Sequence, residues 1–285
     1  MDQAKNLRNQ VAKKKGGRST KVLSVTSGKG GVGKTQTVAN LAIALREKGN
    51  EVLIFDGDMG LANIDIIYNI SPPYNLKHLV DGSKSIDEVL FKSEDGVYIL
   101  PAASGIQELT NLDQVHKMNL ISQIDQLEGR FDYVIIDTAA GISDNVMYLN
   151  SASQFILVVV TPEPTSITDA YALIKVLSTR YSEKEFYIIT NQTRTEAESK
   201  MVFNSLVSAA DKYLDSVQLW HLHNFPYSEK VRQSITRQVP MIKFEKEGEI
   251  ADCYRELAKK IEALELERTK GGMQFFLKQA ITGNG

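Results

Sequence analysis

Short, continuously apolar runs alternate along the chain with longer stretches in which apolar residues recur every three or four positions. Runs rich in β-branched residues stand at 22–27 (VLSVTS), 51–56 (EVLIFD), 97–100 (VYIL), 132–137 (DYVIID), 155–160 (FILVVV), 186–191 (FYIITN) and 217–222 (VQLWHL). Their hydrophobicity is continuous rather than alternating, the pattern of strands buried on both faces in a parallel sheet. Helix-period segments lie between them at 35–48, 114–128, 165–180 and 195–213, and two more follow at 228–236 and 249–268. Strand, helix, strand repeated in this way predicts an α/β fold with a doubly wound, mostly parallel sheet flanked by helices, which takes its ligands at the carboxyl ends of the strands. Residues 22–268 contain neither an internal repeat nor a low-complexity linker, so they read as one domain.

Composition narrows the class. With 42% hydrophobic and 24% charged residues the chain is neither fibrous nor disordered. The lone cysteine, Cys253, cannot make an internal disulfide or a thiolate cluster, which points to a reducing cytoplasm. The longest apolar run, 155–160, is six residues, far short of the roughly 20 needed to span a bilayer, and the first residues lack a secretory pattern. The net charge of −2 conceals an asymmetry. Residues 1–21 carry Lys5, Arg8, Lys13, Lys14, Lys15, Arg18 and Lys21 against Asp2 alone, a balance of +6, and the rest of the chain is −8. The segment 9–20 has no apolar periodicity and reads as a basic linker, either a solvated leader or one with a partner.

The chemistry begins directly after the first predicted strand. Gly28-Lys29-Gly30-Gly31-Val32-Gly33-Lys34-Thr35 satisfies G-x-x-x-x-G-K-[ST] and opens a helix, with Gln36 next in line. Glycines at 28, 30, 31 and 33 let backbone N–H groups converge on phosphate oxygens, and the helix N-terminus adds positive potential. Lys34 is placed to reach the β- and γ-phosphates and the Thr35 hydroxyl to ligate Mg²⁺. Two other strands end in acids, Asp56 and Asp58 after 51–56 and Asp137 at the end of 132–137.

GKGGVGKT resembles the deviant Walker A motif of the MinD/ParA/nitrogenase-reductase superfamily of P-loop ATPases, and the resemblance covers about 22–268. It implies that Lys29 crosses a dimer interface to touch the phosphates of the facing subunit, so that two ATP molecules are sandwiched in a homodimer. A second cation there stabilises developing charge as an arginine finger does. Asp56-Gly57-Asp58-Met59-Gly60-Leu61-Ala62-Asn63 is similar to the family's D-x-D-x-G-L-x-N switch I, and by resemblance Asp58 orients the attacking water while Asp56 is structural or supporting. Asp137-Thr138-Ala139-Ala140-Gly141 is similar to the D-x-x-A-G switch II, whose acid holds Mg²⁺ through water. The resemblance further implies that Asn191, following a late strand, and backbone around Pro226, after the next one, read adenine, and that Glu163 lies near the partner's nucleotide. No N-K-x-D guanine signature is present, so ATP and ADP are the expected nucleotides.

Both ends add to this. Met273, Phe276, Leu277, Ala280 and Ile281 fall on one helical face with Phe275 at its margin, behind Gly271-Gly272. Packed on the domain they would be ordinary core. Their resemblance to MinD-type targeting helices implies instead an amphipathic membrane-targeting helix over 273–281, weak as one copy and stronger as two, with reversible peripheral membrane association of a cytoplasmic protein. Asp2-Gln3-Ala4-x-x-Leu7-Arg8 within the basic segment 1–21 resembles the DQAxxLR motif of the flagellar subgroup called FlhG, YlxH or FleN. There the N-terminal helix stimulates GTP hydrolysis by FlhF, a signal-recognition-particle-type GTPase, and Gln3 is the candidate that positions its water. The subgroup's control of flagellar number or placement and its contact with flagellar C-ring proteins follow by resemblance alone.

Two rivals stand beside this reading. A ParA-type partition ATPase would use the leader on DNA, with steep salt dependence, but the lysine run lacks interleaved aromatics and the terminal apolar face would have no purpose. A nucleotide-gated scaffold with vestigial hydrolysis is opposed by the presence of Lys29, Lys34, Asp58 and Asp137 together. An iron–sulfur reductase of the same superfamily would need thiolates that one cysteine cannot provide.

Overall fold

Which residues become strands follows from the two-sided burial the sequence demands. In a computed structural model that describes residues 20–58, 63–101, 122–123, 126–127 and 129–265, eight strands form one sheet. They are β1 (Lys21–Thr26), β2 (Val52–Gly57), β3 (Phe91–Lys92), β4 (Tyr98–Leu100), β5 (Tyr133–Thr138), β6 (Phe155–Val160), β7 (Glu185–Thr193) and β8 (Gln218–Pro226), in the order β3-β4-β2-β5-β1-β6-β7-β8. Every pairing is parallel except β3 with β4. The expected doubly wound architecture is therefore the observed one.

Successive residues of one strand feed different cores. Leu23, Val25, Ile54, Ile135, Leu157 and Ile189 pack with α1 (Lys34–Glu47) and α10 (Glu249–Ala263) on one face of the sheet. Val22, Leu53, Phe55, Val134 and Ile136 join a second cluster with α3 (Leu76–Val80) and α4 (Ile86–Val89), and Ile156, Val158, Val160 and Ile188 a third with α6 (Pro164–Tyr181) and α7 (Glu196–Tyr213). With both faces covered, no polar alternation survives in the sequence. Leu257 of α10 is fully buried, and truncating such a side chain to Ala costs about 2–5 kcal/mol.

The remaining helices are α2 (Asn63–Tyr68), α5 (Asp144–Ser151), α8 (Glu229–Thr236) and α9 (Met241–Phe244). The short helices α2, α3, α4, α5 and α9, with the two-residue β3, are absent from the sequence pattern, because four to eight residues display at most about two turns of helical period. β7 and β8 run further than the apolar runs that announced them, through an irregular pairing at Asn191/Thr193. The helix predicted over 249–268 stops at Ala263, where Leu264 turns extended. Most of the predicted helix 114–128 lies outside the described residues, as do Gln3 with the leader and Met273, Phe275, Phe276, Leu277 and Ile281. Among the described residues no helix is long and apolar enough to cross a membrane.

The chain places β5 between β2 and β1 and then crosses to the other side of β1 with β6. Register aligns Val25 with Asp137 and Asp56 with Asp137, so the carboxyl ends of β1, β2 and β5 lie side by side at the point where the strand order reverses. Open α/β sheets bind ligands there.

Candidate active site

The loop from Gly28 to Gly33 joins β1 to α1 at that point. Gly33 caps α1 with φ of +100° and Gly31 has φ of +79°, a region that L side chains avoid. At Gly28 a Cβ would lie 2.1 Å from the backbone carbon of Asp169, because α6 crosses close over the start of the loop. At Gly30 and Gly31 a Cβ would meet nothing within 4 Å, so those two glycines border open space.

Lys34 is 8% exposed, and its Nζ donates to Ser27 Oγ at 2.9 Å, while Ser27 Oγ donates to Lys29 O at 2.6 Å. Burial pushes the Lys34 pKa down, and the Asp137 and Asp58 carboxylates act against that. Val32 is core, with its carbonyl turned to Asn191. The Gln36 Oε1 accepts from Asn40 Nδ2 at 3.1 Å, which turns its side chain into α1 and leaves only its backbone for the loop.

Across from the lysine stand the acids. Asp137 is 1% exposed, and neither of its carboxylate oxygens completes a hydrogen bond among the described residues. Burial drives its pKa up to about 7, with Asp58 adding to the rise and the Thr35 hydroxyl and Lys34 ammonium offsetting part of it. Asp56, its register neighbour, is pushed up to about 8 by burial first and then by the charge of Asp137. Asp56 Oδ1 accepts the backbone N–H of Asp58 at 3.1 Å, and Asn63 Nδ2 approaches Asp58 Oδ2 at 3.5 Å. The unsatisfied Asp137 carboxylate, with a second buried carboxylate beside it, constitutes a site that gains from a cation. Among the described residues no group of three or more His, Cys, Asp or Glu side chains could by itself hold a metal. Mg²⁺ takes one or two protein oxygens and completes its shell with water and phosphate.

Lys29 points to its own chain. Its Nζ lies 2.5 Å from Glu163 Oε2 and 3.0 Å from Thr165 Oγ1, at the start of α6. That Lys29 and Glu163 meet each other is not visible in the sequence pattern, which separates them by 134 positions. Asn191 donates through Nδ2 to Val32 O at 2.7 Å, and its Oδ1 accepts the Gln192 N–H at 2.9 Å. Asn191 closes the predicted run 186–191 and lies opposite Phe225, with β7 continuing to Thr193, while Pro226, expected beyond its strand, lies within β8 opposite Thr193, because the paired ladder outlasts the apolar run. Ser27, Thr165 and Asp169 are site residues that the sequence reading missed. Ser27 carries no signal beyond preceding Gly28, and α6 reaches the loop only through the fold.

A family model described as AAA domain matches residues 20–188. Antiactivator FleN of Pseudomonas aeruginosa is 35% identical over 261 residues, 91% of this chain and 93% of that protein. The chain belongs to the flagellar branch of the MinD/ParA family of P-loop ATPases. Within this family the flagellum site-determining protein YlxH of Helicobacter pylori is 30% identical over 92% of this chain and 90% of its own. The septum site-determining protein MinD of Pyrococcus horikoshii, solved in complex with Mg-ADP, superposes with a TM-score of 0.64 at 25% identity, covering 86% of this chain and 96% of that one. Membership accounts for the glycine loop and the two acid-tipped strands arising together at one sheet end.

Proposed function

We propose that this chain is an ATPase of the flagellar MinD-like type. It binds ATP in the loop 28–35, pairs with a second copy across two nucleotides, associates with the membrane in that state, and thereby regulates the number or placement of flagella. The observation that carries the reading is Asp137, whose two buried oxygens stand unsatisfied beside Lys34 and Thr35. Its relatives in P. aeruginosa and H. pylori are an antiactivator and a flagellum site-determining protein, and the P. horikoshii neighbour holds Mg-ADP, all of which support the same site chemistry.

The residues divide the work. Lys34 and the loop N–H groups neutralise the β- and γ-phosphates, and the backbone at Gln36 extends that cradle along α1. Thr35 and Asp137, with Asp58, would hold Mg²⁺, which would supply positive charge against the developing negative charge of the phosphates. Asp58 orients the water that attacks the γ-phosphate. Lys29 leaves Glu163 to meet the facing subunit's phosphates, and Asn191 with the strand end at Pro226 offers amide and backbone groups to the adenine edge. Gln3 acts in trans on the FlhF GTPase, and C-ring proteins are further partners.

Vesicle flotation with ATP and with ADP tests the chain of events together. Flotation with ATP only, lost on Lys34→Ala and on truncation after Arg268, is the expected result. Flotation indifferent to nucleotide would refute the switch. For the partner GTPase, a peptide of residues 1–20 accelerates FlhF turnover and its Gln3→Ala version does not; equal activity of the two would remove that role.

A further inference from the structure

Asn191 and Val32 are 159 positions apart in the chain and meet at the end of the sheet. Asn191 Nδ2 donates to Val32 O at 2.7 Å, and Asn191 Oδ1 accepts the N–H of Gln192, a residue with φ of +59°, at 2.9 Å. A side chain at Gly33 would collide with the same Nδ2, so the amide fills the space that this glycine leaves free. The end of β7 is thus fastened to the phosphate loop at one peptide, Val32–Gly33.

That fastening has two physical effects. The Val32 carbonyl and the Gly33 N–H belong to one trans peptide plane, in which C=O and N–H point in opposite directions. Holding the carbonyl on Asn191 therefore sets the heading of the N–H at the cap of α1, a donor of the loop that the phosphates use. The second effect is on the amide itself. Adenine carries a donor at N6 beside an acceptor at N1, guanine an acceptor at O6 beside a donor at N1, and a free amide satisfies either by turning over. Turning over here would set Oδ1 against the Val32 carbonyl and Nδ2 against the Gln192 N–H, so the order of donor and acceptor is fixed. One Nδ2 hydrogen and one Oδ1 lone pair remain for a base.

We propose that Asn191 is a positioning residue for the phosphate loop as well as a reader of the base. Its pinned amide holds the Val32–Gly33 peptide ready for phosphate and, being unable to turn over, selects adenine over guanine. The proposal deepens the nucleotide reading given above and rests on it. Part of the cost of ordering the loop is then met before nucleotide binds.

The test titrates the full chain calorimetrically with ATP, GTP and inorganic tripolyphosphate, each with Mg²⁺. Parent is compared with Asn191→Ala and with Asn191→Leu, which keeps the volume and removes both hydrogen bonds. Tripolyphosphate has no base, so its affinity moves only through the loop. Both variants bind it about twofold to tenfold more weakly than the parent, the worth of one neutral hydrogen bond, and lose most of the preference for ATP over GTP. Thr193→Val is the control: it frees the end of β7 from Asn224 Oδ1, 2.7 Å from Thr193 Oγ1, without touching the loop, and keeps the parent's tripolyphosphate affinity. Parent-like tripolyphosphate binding in the Asn191 variants overturns the positioning role and leaves a reader of the base alone. An equal loss in Thr193→Val overturns it too, by assigning the effect to the strand end. A preference for ATP that survives in both variants overturns the selection of adenine. A parent that binds neither ATP nor tripolyphosphate refutes the nucleotide reading itself, which separates that failure from the others.

Discussion

Lys29 Nζ and Glu163 Oε2 stand 2.5 Å apart within one chain, with Thr165 Oγ1 sharing the ammonium at 3.0 Å. Both residues are assigned above to the neighbourhood of a second subunit's nucleotide, so here they occupy each other. The pair is solvent-exposed, with side-chain accessibilities of 38% and 61%, and exposed pairs contribute about 0–1 kcal/mol. Breaking it is a small cost beside the attraction of a triphosphate. Lys29→Ala is accordingly expected to bind ATP and remain monomeric in size-exclusion chromatography with light scattering, whereas Glu163→Gln shifts the dimerisation constant by about fivefold or less. ATP-dependent dimerisation by Lys29→Ala at the parent's concentration would refute the trans contact.

Asp137 predicts an opposition between stability and binding. With folded pKa values raised for both Asp137 and Asp56, the nucleotide-free fold is penalised as pH rises through the ordinary carboxylate value near 3.9, and the penalty is complete above about 8. Asp137→Asn removes one of the two buried charges and keeps the shape. At pH 8 the nucleotide-free variant should melt above the parent, by about 2–4 °C per kcal/mol recovered, and at pH 4 the difference should vanish because the parent is then neutral as well. The added stabilisation that Mg²⁺ gives on top of ATP should disappear in the variant. A variant less stable than the parent at pH 8, with its Mg²⁺ response intact, would show Asp137 to be a structural acid.

His223 supplies a pH dependence far from that site. It is buried on β8, Lys260 Nζ lies 3.5 Å from its Nδ1, and its Nε2 has no partner among the described residues. Burial first and the Lys260 charge second lower its pKa to about 4. The imidazole is thus held neutral: its contribution is whole above the ordinary value near 6.5 and is lost as pH falls toward 4. That interval corresponds to about 3 kcal/mol. Urea unfolding of the parent should lose this much between pH 7 and 4 beyond the loss in His223→Gln; parallel curves for the two would discount the histidine.

The sheet was legible because two-sided burial leaves continuous apolar runs, as at 155–160, and the loop was legible because phosphate wrapping demands glycines and a lysine at fixed spacing. Asp137 and Asp58 were legible as acids at strand ends. What stayed hidden depends on distance in sequence. Lys29 meets Glu163 134 positions away, and Gly28 meets Asp169 only because α6 folds back over the loop. Local pattern carries no such information. The true ends of β7 and β8 were hidden for a different reason, since Thr193 and Pro226 extend the ladder through backbone pairing and not through apolar side chains.

Asp58 is the position at which hydrolysis itself is tested. Its backbone N–H is tied to Asp56 Oδ1 at 3.1 Å, which makes the buried Asp56 a positioning residue for the turn that presents the Asp58 carboxylate. An acid that orients or deprotonates water contributes about 10²–10⁴-fold to rate and little to ground-state binding. Asp58→Ala is therefore expected to lower kcat for ATP by at least about a hundredfold, with the Kd for ATP changed by a few-fold at most, and Asp58→Asn to recover part of the loss by orienting water without accepting its proton. Asp56→Ala should reduce kcat less than Asp58→Ala, because it loosens the turn but leaves the carboxylate in place. Phosphate release at saturating ATP measures all three, and an Asp58→Ala chain that hydrolyses at the parent's rate would move the water-orienting role to another residue.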